Sequence, residues 1–405
     1  MRWIEIDLTM PHEEETFRER LETVRDRQLE LPRLQDDCGL DSPLIVRFMA
    51  EQGQRLFRVL QGHVPESLTL EGDDPVGFHL HVKASDLTLP WNLLHDGLRF
   101  LLERAAICAS TRPLIPETIP GDQPWLARHH ETRFTDEALG TSSPDATARR
   151  YRPIECADPE VLFLSTGGNA SVQIHARQER HIIDSALATS CGGIRLAGLD
   201  SEANVLTPAE LVRRSSCYPA FHYFASTRWP QPVGEAPENG FGRWADIPET
   251  GSSLEVLGVD PIDVLLDEVV SRRADAAVSG AFSSTATLVE PAWQFEDGHL
   301  RPEDLARSGV MPALVFSNSY LSLEALGHRF LDSGASTFLG TQAVISTDDA
   351  RTYSGDFYHA MALGMNAAAA QRQAALEAKQ RHGADHPLWL SYGLVGAGEL
   401  ALQYL

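Results

Sequence analysis

Residues 161–165 read VLFLS, and a Gly-rich turn, TGGN at 166–169, follows them. The run is short, wholly apolar in its interior and closed by glycine. That is the pattern of a strand buried on both faces, as in a parallel sheet. Working towards the C-terminus, helical periodicity follows over 178–188 and a short strand near 193–196. Thr207-Pro208-Ala209-Glu210 is a helix start, with a capping Thr, Pro at the first helical position and Glu at the third. AFHYFA at 220–225 is a strand. Asp260-Pro261 opens a helix whose Ile262, Leu265, Leu266 and Val269 share one face. ALVF at 313–316 is a strand, 323–331 a helix, STFLG at 336–340 a strand, and 356–380 one long Ala-rich helix. An apolar segment with Trp389 and Tyr392 closes the series at 388–394. Strands alternating with helices imply an α/β fold with a mainly parallel sheet covered on both faces.

Towards the N-terminus, residues 116–152 are poor in apolar groups and rich in Pro, Gly, Thr, Asp and Arg. So long a connection is a functional loop or a linker. It divides the larger α/β half, 153–405, from a smaller α/β half at 41–115. In that smaller half, Ile45, Phe48, Met49, Leu56, Val59 and Leu60 mark an amphipathic helix, and VGFHLHV at 76–82 a strand. LPWNLLHDG at 89–97 ends in a turn signal, and 100–102 and 105–108 are short buried segments. Residues 1–40 form a charged helical segment with 6 Arg against 11 Asp and Glu. Phe17, Leu21 and Val24 are its one packed stripe, and the excess negative charge favours solvent or a basic partner.

The chain has 405 residues and a formal charge of −23. No basic surplus exists to neutralise phosphates, so a dedicated nucleic-acid binder is not expected, nor is a polybasic membrane anchor. No apolar stretch approaches a membrane span, and the first residues lack the pattern of a secretory signal. Lys83 and Lys379 are the only lysines, which reads as genome bias. The five cysteines, Cys38, Cys108, Cys156, Cys191 and Cys217, contain no CxxC pair, so neither a disulfide framework nor a zinc ribbon is expected. A reducing cytoplasm fits best.

Local motifs for chemistry are sparse. The turn 166–169 lacks GxGxxG, and no Walker pattern occurs, so a glycine-requiring turn is the simpler reading of TGGN. His129-His130-Glu131 reads as a polar loop, because adjacent residues seldom converge on one ion. Cys191 and Cys217 do not sit at the C-terminal end of a strand, where open α/β sheets place their reactive groups. No metal site and no cofactor are expected. The strands at 220–225 and 313–316 end at Ser226-Thr227 and at Ser317-Asn318-Ser319, and these loops lie side by side if the strands are neighbours. His222 shares a strand face with Ser226, but four residues separate them by about 13 Å.

Taken together, several motifs in order resemble the CHAT domain family, a caspase-like, separase-related peptidase fold. They are PWNLLHDG at 90–97 and VLFLS with Gln178-Glu179-Arg180. HYFAST at 222–227 stands where the family has HFxGHG. Then come Asp297-Gly298-His299-Leu300 through Asp304-Leu305, and Phe316-Ser317-Asn318-Ser319-Tyr320 in place of LxACxS. Gly334-Ala335 through Gly340-Thr341 and Phe357-Tyr358 follow, and the chain ends in a Trp-containing strand over 386–393. The resemblance covers roughly residues 41–405 and implies a caspase-like (clan CD) sheet flanked by helices. Residues 228–291 read as an insertion relative to compact members, with a surface loop at 232–253.

The family's catalytic pair is a His and a Cys. Carried over by position, those places hold Ser226 and Ser319. Thr227 stands where a glycine would help form the oxyanion site. A serine hydroxyl without a base is a poor nucleophile at neutral pH. The resemblance with these losses implies a pseudoprotease: a binding, regulatory or scaffold subunit, with no confident catalytic residue. His222, Thr227, Ser317 and Asn318 are then binding-cleft candidates. A protein partner is expected, such as an active peptidase, a sensor or a substrate chain, and the family points to bacterial defence or regulated proteolysis. Two alternatives stand beside it. One is an active peptidase in which Ser319 attacks, with a base from His129, His130 or His328 or with a partner completing the site. The other is a nucleotide-sensing, Rossmann-like module built on 166–169.

Overall fold

A computed structural model describes residues 2–9, 14–28, 30–61, 76–111, 148–149, 160–165, 170–188, 193–197, 218–224, 227–228, 291–295, 298–307 and 311–402. The expected features at 129–131, 166–169, 207–210, 232–253 and 260–269, and Cys156, Cys191, Cys217 and Ser226, lie outside these residues.

The short apolar runs are strands of a single sheet. In the larger half they are β5 (Glu160–Ser165), β6 (Arg195–Ala197), β7 (Ala220–Phe224), β11 (Leu314–Asn318) and β12 (Thr337–Thr341). β7, β11 and β12 are buried at every residue, as strands covered on both faces must be. In the smaller half they are β1 (Arg2–Asp7), β2 (Val76–His81) and β3 (Ala105–Ser110), with β4 (Ala148–Arg149) at the edge. The C-terminal strand β13 (Tyr392–Gly396) joins the halves, and the order is β4-β1-β2-β3-β13-β12-β11-β7-β5-β6. β13 runs parallel to β3 and antiparallel to β12. The sheet is therefore two parallel blocks opposed at one seam, with β4 the other antiparallel neighbour. The expected α/β class, with a mainly parallel sheet, flanking helices and a smaller N-terminal half, is what the chain adopts.

Three helices link β1 to β2: α1 (Glu14–Gln28), α2 (Leu31–Cys38) and α3 (Pro43–Leu60). Phe17, Leu21 and Val24 are buried, as their spacing predicts. Ser42 caps α3, accepting from the Leu44 N–H, and Pro43 occupies the first turn. Arg2–Asp7 departs from the helical reading of residues 1–40. Trp3, Ile4 and Ile6 are buried in β1, whose partners β2 and β4 lie some 74 and more residues later.

Beyond the loop, α4 (Ala170–Ala188) follows β5 and starts earlier than the periodicity over 178–188 predicts. α5 (Pro302–Arg307) and α6 (Ser322–Asp332) precede and follow β11. The Ala-rich stretch expected as one helix over 356–380 is two: α7 (Thr347–Ala362) and α8 (Ala367–His382). Gly364 adopts φ 84°, its N–H donates to Met361 O, and the Met365 N–H donates to Ala360 O. This is the left-handed glycine termination that ends helices. Asn366 then caps α8 by accepting from the Ala369 N–H at 2.9 Å. Six alanines of α8, from Ala367 to Ala378, are fully or almost fully buried, which lets its axis lie close to its neighbours.

A second, three-stranded sheet was not legible in the pattern: β8 (Thr227–Arg228), β9 (Ala292–Phe295) and β10 (Gly298–Leu300). Arg228 pairs with Ala292, so the ends of the 228–291 stretch sit side by side. Among the described residues no helix is long and apolar enough to cross a membrane.

His79 of β2 is 2% exposed, and neither ring nitrogen has a hydrogen-bond partner among the described residues. Burial, and then the neighbouring His81, hold its pKa down to about 3. The folded state keeps this ring neutral, while an unfolded chain protonates it below about pH 6.5. Stability therefore falls as pH drops from 6.5 towards 3, by up to roughly 1.4 kcal/mol per pH unit from this group. His79→Leu should flatten the urea-unfolding stability profile between pH 6.5 and 4.5. An unchanged slope would show that the ring is solvated or paired.

Candidate functional site

β7 and β11 are parallel neighbours, with Phe224 opposite Asn318. Their described C-terminal ends, Phe224 and Asn318, thus lie together. Side chains alternate along each strand, so the two faces of the sheet carry different chemistry here.

On one face, β7 presents His222 and β11 presents Phe316 and Asn318 towards α4 and α7. Glu179 of α4 is completely buried, and its Oε1 accepts three hydrogen bonds. They come from His222 Nε2 at 2.8 Å, Asn318 Nδ2 at 2.7 Å and Ser354 Oγ of α7 at 2.8 Å. Asn318 Oδ1 accepts from the Tyr392 hydroxyl of β13 at 2.7 Å. With Nε2–H given to Glu179, His222 Nδ1 is left to accept from the Tyr358 hydroxyl of α7, 3.3 Å away. Phe163 stacks on the imidazole, while Phe316 and Tyr358 meet it edge-on. Burial, reinforced by the nearby Glu179 carboxylate, pushes the Tyr358 and Tyr392 hydroxyls well above the ordinary tyrosine range. Glu179 Oε2 has no hydrogen-bond partner among the described residues. The network ties α4, β7, β11, α7 and β13 into one unit.

The opposite face is built differently. Tyr223 stacks on Trp293 of β9 at 4.5 Å between ring centroids, and its hydroxyl donates to Gln294 O at 2.8 Å. Trp293 Nε1 donates to Ser317 Oγ at 3.1 Å, and Ser317 Oγ lies 2.9 Å from Ser319 Oγ. Ser319 thus belongs to the face of Ser317 and Trp293, across the sheet from His222. It is fully buried. Its carbonyl accepts from Thr341 Oγ1 at 2.5 Å, and Ser322 Oγ donates to Ser317 O at 2.8 Å. Leu321, the residue before α6, has φ 44°, a left-handed conformation that a leucine adopts at a cost of about 1–3 kcal/mol. Gly340 leaves room for this turn: a Cβ there would lie 2.8 Å from Ser322 Oγ and 2.9 Å from the Leu323 nitrogen.

The candidates from the sequence therefore fall apart into two groups. His222, Ser317 and Asn318, expected to line an open cleft, are fully buried, each with hydrogen-bond partners of its own. The physical reason is that polar side chains in a sheet covered on both faces must be paired internally. Thr227 begins β8 beside Trp293. His328 is on α6, where burial lowers its pKa, and its charged neighbours are Asp332, Arg329 and Glu303. The helix runs back from the strand ends, so His328 lies roughly 9 Å along the axis from Ser322. Glu179 was overlooked as a functional residue, although a signal existed. Ala176, Glu179, Ile183 and Leu187 fall on one helical face, and all are buried. A carboxylate in such a stripe demands a buried partner.

No family model matches the chain, and no curated protein is similar to it. Among solved structures, it is similar to a chain of the Saccharomyces cerevisiae separase–securin complex. The identity is 10% and the TM-score 0.38, covering 81% of this chain and 15% of that one.

Proposed function

We propose that this chain is a caspase-like, CHAT-related domain that has lost peptidase chemistry and acts by binding a protein partner. The observation that carries the reading is the position of Ser319. It occupies the nucleophile's place in the motif order, yet its hydroxyl is fully buried against Ser317. The histidine of the neighbouring strand, His222, is committed to Glu179 on the opposite face. A hydroxyl needs an adjacent base to attack a carbonyl at neutral pH, and the group 2.9 Å from Ser319 Oγ is the Ser317 hydroxyl, which is not a base. The kept features support a binding role. The two strand ends remain adjacent, and the turn around Leu321 is held by Thr341 and Ser322. A regulatory or scaffold subunit in bacterial defence or regulated proteolysis, working in the cytoplasm, is the family-level extension of this proposal.

The test is cleavage of a peptide library by the purified chain beside its Ser319→Ala variant. Neither should cut above background. Cleavage that the substitution abolishes favours the serine-peptidase reading instead.

A further inference from the structure

A second cluster of polar side chains lies where the first turn of α7 meets the last turn of α8. Asp349, His382 and His386 each direct one ligand-type atom to a common point, all within 4.8 Å of one another. His382 Nε2 is 3.6 Å from Asp349 Oδ1, and the His382 and His386 rings stack with centroids 4.6 Å apart. His386 Nε2 is also 3.0 Å from Asp41 Oδ1, in the turn before α3. The ligands of a tetrahedral ion bound at ~2.0–2.1 Å lie about 3.4 Å apart, so little movement is needed to close on one.

The surroundings make the arrangement a built one. The Asp349 N–H is held by Ser346 Oγ at 3.1 Å, fixing the carboxylate in the first turn of α7. His382 and His386 are four residues apart across the end of α8, with Gly383 at φ 96° turning the chain between them. His386 in turn caps the turn Pro387–Leu390, with Nδ1 accepting from the Leu388 N–H at 3.3 Å. The Asp349 and His386 side chains are only 16% and 15% exposed, whereas His382 at 27% and Asp41 at 71% open to solvent and give an ion a way in. Nearby cations are engaged elsewhere: Lys379 with Glu103 and over the Trp389 ring, Arg381 with Asp356.

We infer that Asp349, His382 and His386 form a binding site for a divalent transition-metal ion of the Zn²⁺ class, His386 giving up on binding its contact with either Asp41 or the Leu388 N–H so that one ring nitrogen is free to ligate. Two imidazoles and one carboxylate suit such an ion and leave a fourth position for water. The ion joins three segments: α7, α8 and the turn entering β13. α7 carries Ser354 and Tyr358, and β13 carries Tyr392, so the same ion braces two of the elements that hold the Glu179 network.

The test uses the full chain after chelator treatment and dialysis, titrated with Zn²⁺ by calorimetry and with Co²⁺ by visible absorption. A site sensitive to His382→Ala, and to Asp349→Asn or His386→Ala, is expected. Each substitution should weaken Zn²⁺ by at least the roughly 10–100-fold that loss of a mere supporting partner costs, and remove the tetrahedral Co²⁺ bands. A His129→Ala/His130→Ala variant should bind as the parent does. His382 is on the surface, so His382→Ala reports even if a more buried substitution fails to fold. Absence of Zn²⁺ binding at micromolar concentration overturns the inference, as does binding by His382→Ala at undiminished affinity.

Discussion

Replacing Glu179 by alanine should cost roughly 3–5 kcal/mol of folding stability, because it strands buried hydrogen-bond donors and leaves a void. Three donors converge on Glu179 Oε1, from His222, Asn318 and Ser354. In a site with no exposure, none of them can turn to water. Each stranded donor costs about 1–3 kcal/mol, and the void left by the side chain adds to this. Against a typical total of about 5–15 kcal/mol, such a loss takes a large share of stability. Glu179→Gln keeps the volume and one acceptor oxygen but places an amide among donors, so an intermediate loss is expected. Urea unfolding followed by circular dichroism measures both. A loss below about 1 kcal/mol for Glu179→Ala would mean that water or a rearranged side chain satisfies the network.

The second large effect concerns Gly53 in the middle of α3. On an exposed helix, glycine to alanine gains about 1 kcal/mol. Here a Cβ would lie 1.7 Å from the Leu93 carbonyl oxygen and 2.8 Å from the Leu93 carbonyl carbon. The obstacle is backbone, which cannot rotate aside. Leu93 belongs to PWNLLHDG, a segment pinned on every side. The His95 N–H donates to Gly53 O, Asn92 Nδ2 donates to Leu390 O at 2.9 Å, and Trp91 Nε1 donates to Asp86 O at 2.9 Å. Gly53→Ala must therefore push α3 off this segment, at a cost of about 3 kcal/mol or more. Gly39 provides the comparison, because a Cβ there meets nothing within 4 Å. Its φ of 85° still imposes a local cost, of roughly 1–2 kcal/mol. Thermal unfolding should rank Gly53→Ala well below Gly39→Ala. The reverse order would contradict the packing of α3 on PWNLLHDG.

These two sites show what the sequence could and could not reveal. VLFLS, AFHYF and ALVF were legible because a strand buried on both faces is largely apolar, and apolar runs this short between turn residues are too brief for a helix. The stripe Phe17, Leu21 and Val24 was legible for the same kind of reason. β1 escaped notice because its burial depends on β2 and on nothing in its own neighbourhood. The division of α7 from α8 was hidden by alanine, which propagates a helix on either side. Only Gly364 and Asn366 mark the break. The adjacency of the β7 and β11 ends followed from topology, since parallel neighbours bring their ends together. What could not be read was the side of the sheet on which each polar group would sit. The bond from Asn318 to Glu179 spans 139 residues. Neither partner's local sequence reports the other, and a buried hydrogen bond leaves no periodicity of its own.

The central claim is that the strand ends of β7 and β11 keep the architecture of a peptidase centre without its chemistry. Peptide-library cleavage, read by mass spectrometry for the wild-type chain and Ser319→Ala in parallel, tests this most directly. The account predicts that the two profiles coincide at background. Cleavage products made by the wild type and absent with Ser319→Ala would contradict it.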